Sequence, residues 1–117
     1  MFGIILPVVR ENTKKRCVMG KRRYYVYIIT NAHDTALYIG MTNDIMRRMH
    51  EHKTGKIRGF SKRYNLKKLV YLEEFSEVWE AIAREKQLKN WHRAWKLNLI
   101  KQENPALEDL SAGWFAV

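Results

Sequence analysis

The sequence predicts an α/β domain of the α+β kind: a small, mostly antiparallel sheet of three strands flanked by helices, in the order β-β-α-β-α(α). Three observations carry this. Residues 24–30 (YYVYIIT) are aromatic and β-branched, as in a strand buried on both faces. A polar turn, Asn31 to Thr35, returns the chain into 36–40 (ALYIG), so the first two strands read as a hairpin. Two stretches with helical spacing then lie on either side of a third strand, 67–75 (KKLVYLEEF), and helices so arranged cover a sheet.

The elements follow in order. Gly40 ends the second strand at a place where a side chain would obstruct a close approach. Thr42 or Asn43 then caps a helix running to about Lys53, with Asp44 in its first turn and Ile45, Met46 and Met49 as its apolar stripe. Residues 54–66 (TGKIRGFSKRYNL) read as a basic loop punctuated by glycine. Ser76 caps a long helix from Glu77 to about Gln102, kinked near residues 90–94 and stopped by Asn104-Pro105. The last dozen residues carry enough apolar side chains to dock back on the domain.

Residues 19–117 form one domain on this reading. The opening MFGIILPVV is interrupted by Pro7, lacks a preceding cation and leads into charged residues, so it does not read as a secretory signal. Met19-Gly20 looks like a start just before the first strand, which makes residues 1–18 a flexible leader or a non-native extension. A chain of 117 residues buries roughly 65% of its extended surface, enough for one core.

Charge narrows the function classes. Lys and Arg number 22 against 12 acidic residues, a net charge of +10. Such a surplus suits nucleic acid, an anionic membrane face or an acidic protein. The single cysteine, Cys17, excludes an intrachain disulfide, and a thiolate zinc site lacks its ligands. That chemistry points to a reducing, cytoplasmic setting. No apolar run reaches the length of a membrane span.

The residues that can carry chemistry are few. Tyr27 and Tyr38 fall on neighbouring antiparallel strands, where two phenols can share one face of the sheet. A phenol can hold a phosphate oxygen or a water; to act as a base near neutral pH it needs a nearby cation. Arg48 and His52 are four apart on the first helix and share its face. The Arg48 fork matches phosphate oxygens, and His52 can accept or relay a proton. Glu85 falls within the apolar stripe of Val78, Ala81, Ile82 and Leu88, where a carboxylate needs a cationic partner or a metal. Mg²⁺ needs only one or two carboxylates. Glu73, Glu74, Glu77 and Glu80 read as surface.

Lys53, Lys56, Arg58, Lys62 and Arg63 form a basic track around Phe60 and Tyr64. The cations suit phosphates. The rings either stack on unpaired bases or anchor the loop, and a long loop's need for packing favours anchoring. Trp79, Trp91, Trp95 and Trp114 read as core or tail-docking residues.

The strings Tyr25-Val26-Tyr27 and Tyr38-Ile39-Gly40, followed by Arg48 and Glu85, resemble the GIY-YIG nuclease family. The first tripeptide lacks the leading glycine of the family name. The segment Phe60-Ser61-x-x-Tyr64 and the tail Asn104-Pro105…Asp109-Leu110 resemble its short, stand-alone bacterial branch, similar to the N-terminal nuclease domain of the excinuclease C subunit. The resemblance implies the same fold and a Mg²⁺- or Mn²⁺-dependent endonuclease hydrolysing phosphodiester bonds, with DNA favoured over RNA and repair or recombination structures among the candidate substrates. It implies catalytic roles for Tyr27, Tyr38, Arg48, His52 and Glu85, with Glu85 on the metal. Met41 stands where some members have lysine, and Asn98 is nearest to a polar position after the glutamate. A protein partner would supply sequence specificity, since the chain carries no second DNA-binding domain. The competing expectation is a non-catalytic nucleic-acid-binding module on the same fold.

Overall fold

The computed structural model describes residues 23–57 and 59–115. The proposed leader, residues 1–18, and Arg58 lie outside them. The described elements are β1 (Tyr24–Thr30), β2 (Leu37–Thr42), α1 (Ile45–Thr54), α2 (Phe60–Arg63), β3 (Lys68–Phe75), α3 (Val78–Asn90) and α4 (Arg93–Glu103). The sheet order is β2-β1-β3 and both pairings are antiparallel. The predicted α+β architecture is the one observed.

β1 is the central strand, and its alternation sends side chains into two cores. Val26 and Ile28 join Ile39, Val70, Ala81, Leu88 and Ile100 on the face covered by α3 and α4. Tyr27 and Ile29 join Ile45, Met49, Leu66 and Leu69 on the face covered by α1. The composition of YYVYIIT predicts a strand buried on both faces, and Val26 through Thr30 are all buried.

Several boundaries differ from the sequence reading, each for a local reason. β2 does not stop at Gly40 but pairs on through Met41 and Thr42 against Val26 and Tyr25. Thr42 therefore belongs to the sheet, and Asp44 is the cap of α1, accepting from the Arg47 N–H at 3.1 Å. α1 ends at Gly55, whose φ of 76° is the left-handed conformation of a helix C-cap. The basic loop holds one helical turn, α2. Glu77 rather than Ser76 caps α3, with no side-chain hydrogen bond. The kink near 90–94 is a full break at Trp91 and His92 that separates α3 from α4.

Burial corrects other expectations. Met46 is exposed, so the buried stripe of α1 is Ile45, Met49 and His52. Glu73 is buried instead of on the surface. It accepts from Tyr71 Oη at 2.9 Å and from Arg84 at 2.9 and 3.2 Å, so its charge is paired. The Glu74 side chain is also buried and forms an ion pair with Arg23. Trp79 and Trp95 are exposed, against the expectation of core tryptophans. The tail does dock: Leu107 and Ser111 are buried, and Trp114 packs on the α1-side core.

Candidate active site

Register builds the site. Tyr27 pairs with Gly40, and Tyr38 pairs with Ile29. The two tyrosines are thus diagonal neighbours on one face, with ring centroids 6.4 Å apart. Gly40, directly opposite Tyr27, leaves room for the phenol to lie across the strand. A Cβ there would fall on the Tyr27 hydroxyl, 2.5 Å from Cζ. The close approach inferred at Gly40 is therefore made by a side chain of β1.

α1 crosses above this face. Its third turn brings His52, buried, against Tyr27: Nε2 lies 3.0 Å from Oη. The other ring nitrogen, Nδ1, lies 2.7 Å from Ser61 Oγ on α2. A neutral imidazole has one N–H and one acceptor. When Nδ1–H donates to Ser61, Nε2 accepts the Tyr27 hydroxyl proton. The result is a buried chain Tyr27–His52–Ser61 running from the sheet through α1 to α2. Tyr38 flanks it, its ring 5.9 Å from His52 and more exposed than Tyr27.

Burial sets the protonation states. It lowers His52 to about 4, helped by the Arg48 charge and opposed by Glu51, so the ring is neutral at pH 7. Burial raises Tyr27 far above its ordinary value. Tyr38 and Glu85 push the same way, and Arg48 opposes them. The expectation of a cation favouring phenolate is thus met by Arg48 in sign but overridden by burial. Resting Tyr27 is a neutral phenol, and its proton can leave only toward an acceptor such as His52.

Arg48 stands one turn before His52 on the same helix face, as its spacing predicts. Its Nε lies 3.5 Å from Glu51 Oε1, but that nitrogen is buried with no hydrogen-bond partner among the described residues. A buried guanidinium N–H without a hydrogen bond marks a place where a polar partner is wanting. Arg47 meets the other oxygen of Glu51 and also pairs with Asp44.

Glu85 departs from its expected setting. Val78 and Ile82 are exposed, so the stripe of α3 is narrower than it reads and Glu85 lies at its edge. Its carboxylate pairs with Lys89 at 3.1 Å, and its side chain is 21% exposed. It still acts on the Tyr27 hydroxyl electrostatically. Among the described residues no three His, Cys, Asp or Glu side chains gather as a metal cage. Glu85 remains a single carboxylate, the donor set that Mg²⁺ accepts when waters and substrate phosphate complete its shell.

The basic track divides. Lys56, Lys62 and Arg63 are exposed. Lys53 is not the free cation expected. It donates to Asp109 at 2.8 Å and to the Lys67 carbonyl at 2.9 Å. Asn98 is exposed on α4.

The GIY-YIG catalytic domain matches residues 23–98, most of the chain. The chain belongs to the GIY-YIG family. It is 43% identical over 82 residues to a UPF0213 protein of Syntrophus aciditrophicus, covering 69% of this chain and 92% of that one. It is 36% identical over 80 residues to a UPF0213 protein of Staphylococcus haemolyticus, covering 68% and 96%. Both are short proteins matched nearly end to end, as the resemblance to a short branch predicts. The solution NMR structure of a UPF0213 protein from Bacillus halodurans aligns with a TM-score of 0.49 at 27% identity, covering 78% of this chain and 97% of that one. The GIY-YIG fold is a nuclease-type fold, and the UPF0213 names carry no specific activity.

Ser61 is the site residue to which the sequence reading assigned no role. Nine positions separate it from His52, across a glycine-punctuated loop, and no periodicity links them. The one available signal is chemical: a buried histidine with two ring nitrogens needs a second partner.

Proposed function

We propose that this chain is a metal-dependent endonuclease that hydrolyses phosphodiester bonds in DNA, including repair or recombination structures. The buried Tyr27–His52–Ser61 chain beside Arg48 carries the reading. A simple phosphate-binding surface needs neither a buried neutral histidine nor a phenol bonded to it.

Each residue then has a task. Neutral His52 accepts the Tyr27 proton as Tyr27 Oη takes one from the attacking water. Coupling the two transfers avoids a free phenolate, which burial disfavours. Ser61 holds the tautomer by accepting from Nδ1–H. The Arg48 fork binds nonbridging phosphate oxygens and gains strength as charge develops there. Tyr38, more exposed, orients the phosphate. Glu85 would hold Mg²⁺ or Mn²⁺, which would supply a Lewis acid for the phosphate and the leaving oxygen.

The test is cleavage of labelled single-stranded, duplex and branched DNA, and of RNA, with and without Mg²⁺. Tyr27→Phe, His52→Gln and Glu85→Gln should each abolish cleavage while retaining binding. Arg48→Lys should lose on the order of 10²-fold, about as much as Arg48→Ala, because lysine lacks the fork. Tight binding with no cleavage under any condition would establish the non-catalytic module instead, with Glu85 serving only its ion pair to Lys89.

A further inference from the structure

Three aromatic rings climb out of the site. Tyr38 and Phe60 are near parallel, 24° apart with centroids at 6.4 Å. Tyr64 follows Phe60 at 4.6 Å. Phe60 and Tyr64 are 46% and 45% exposed, so they do not anchor the loop in the core as its length led one to expect. Leu66 and Ser61 do that. Both are buried, and the Leu66 N–H donates to the Ser61 carbonyl at 2.9 Å. With Ser61 turned inward to His52, one helical turn leaves Phe60 and Tyr64 facing out.

Leaving two large rings in water is unfavourable. Here they stand among cations. Gly59, Phe60, Lys62, Arg63 and Tyr64 line an open groove of about 690 Å³. The Arg63 guanidinium lies over the Tyr64 ring, 5.7 Å from its centroid. Half-exposed aromatic rings beside positive charge fit one ligand chemistry well, a nucleobase joined to its phosphate. In a duplex the faces of a base are covered by the neighbouring pairs. Only an unpaired base has a face to stack.

We propose that the Phe60–Tyr64 step holds an unpaired base next to the phosphate bound at Tyr38 and Arg48. The substrate is then a single strand, or the single-stranded arm of a branched structure, with Lys62 and Arg63 on its phosphates. This names the substrate of the proposed nuclease site and rests on that reading for the word substrate, while the binding step stands by itself.

The test uses the full chain in EDTA, with fluorescein-labelled oligothymidylate and the same strand annealed to oligoadenylate, read by anisotropy. The wild-type protein should bind the single strand more tightly. Phe60→Ala and Tyr64→Ala should each weaken single-strand binding by roughly 5- to 150-fold and leave duplex binding within about twofold. Phe60→Leu separates stacking from packing: it keeps an apolar side chain against Tyr38 without a ring face, and should lose single-strand binding at an unchanged melting temperature. Tighter duplex binding by the wild-type protein, equal losses on both ligands, or full binding by Phe60→Leu would overturn the proposal. Cleavage in Mg²⁺ is read separately. A ring-dependent strand preference without cleavage supports the platform and sinks the nuclease reading. Cleavage indifferent to the rings does the reverse.

Discussion

His52 is held between two hydroxyls, and its burial has a consequence for stability. The ring sits at about 4 in the fold and near 6.5 in an unfolded chain. Between those values the unfolded state binds a proton that the folded state refuses. Stability from this group is therefore complete above about pH 6.5 and is lost as pH falls toward 4, by on the order of 3 kcal/mol. His52→Gln should remove that slope. Urea unfolding of both proteins from pH 7 down to 4 checks it: the wild-type protein should lose more stability than the variant, and parallel losses would mean His52 is solvated. Gly40 is the second telling residue. Gly40→Ala drives a methyl group into the buried Tyr27 ring, which has the sheet behind it and α1 above. A loss of about 1–3 kcal/mol is expected from such overpacking, read as a lower melting temperature. An unchanged melt would show that Tyr27 can move aside.

At the scale of elements, the tail is part of the domain. Asp109 accepts from the Leu69 N–H of β3 at 3.0 Å, from the Ser111 N–H and Oγ–H at 2.9 and 2.6 Å, and from Lys53 of α1 at 2.8 Å. Burial alone would raise this carboxyl; the Lys53, Ser111 and Leu69 contacts outweigh it and hold it below the ordinary range. Asn104 adds a second tie. Its amide donates to the Val70 carbonyl at 3.1 Å and to the Glu108 carbonyl at 2.8 Å. Lys53 directly follows His52, so the Asp109 latch also steadies the end of α1 that carries the site. Asp109→Ala should cost about 1.5–3 kcal/mol, the range for hydrogen bonds to a charged group. It should also speed amide exchange in the last turn of α1. Unchanged exchange there would confine the latch to the tail.

The whole molecule is a basic body with a sheet flanked on both faces. No helix among the described residues is long and apolar enough to cross a membrane. Its net charge of +10 acts through the cations that remain free. Lys53 is engaged by Asp109, which leaves Lys56, Lys62 and Arg63 as the exposed track. Replacing all three with alanine should shallow the dependence of log affinity on log salt by about 2 units on a single strand, at roughly 0.7 per phosphate. Phe60→Ala should weaken binding without changing that slope, because stacking releases no counterions. A triple variant with the wild-type slope would move the phosphate track to another face.

What the sequence by itself determined follows from periodic and local signals. The strand buried on both faces, the hairpin, and the helix that puts Arg48 and His52 on one face are all written in spacings of two, three or four residues and in turn chemistry; near residues 90–94 the sequence showed a kink, and the structure made it a break. The glycine at position 40 could likewise be read as a place of close approach. Only the tertiary structure decided what approaches it, and that Tyr27 meets His52 rather than Tyr38 head-on. It also decided that Ser61 completes the chain, that Lys53 serves the tail, that Glu73 is buried and that Phe60 and Tyr64 are not. The reason is the same in each case. These outcomes depend on contacts between elements far apart in the chain, on the register of β1 against β2 and on the path of one loop. A side chain with two plausible partners leaves no periodic trace of the one it takes, because the choice is made by packing after the elements have formed.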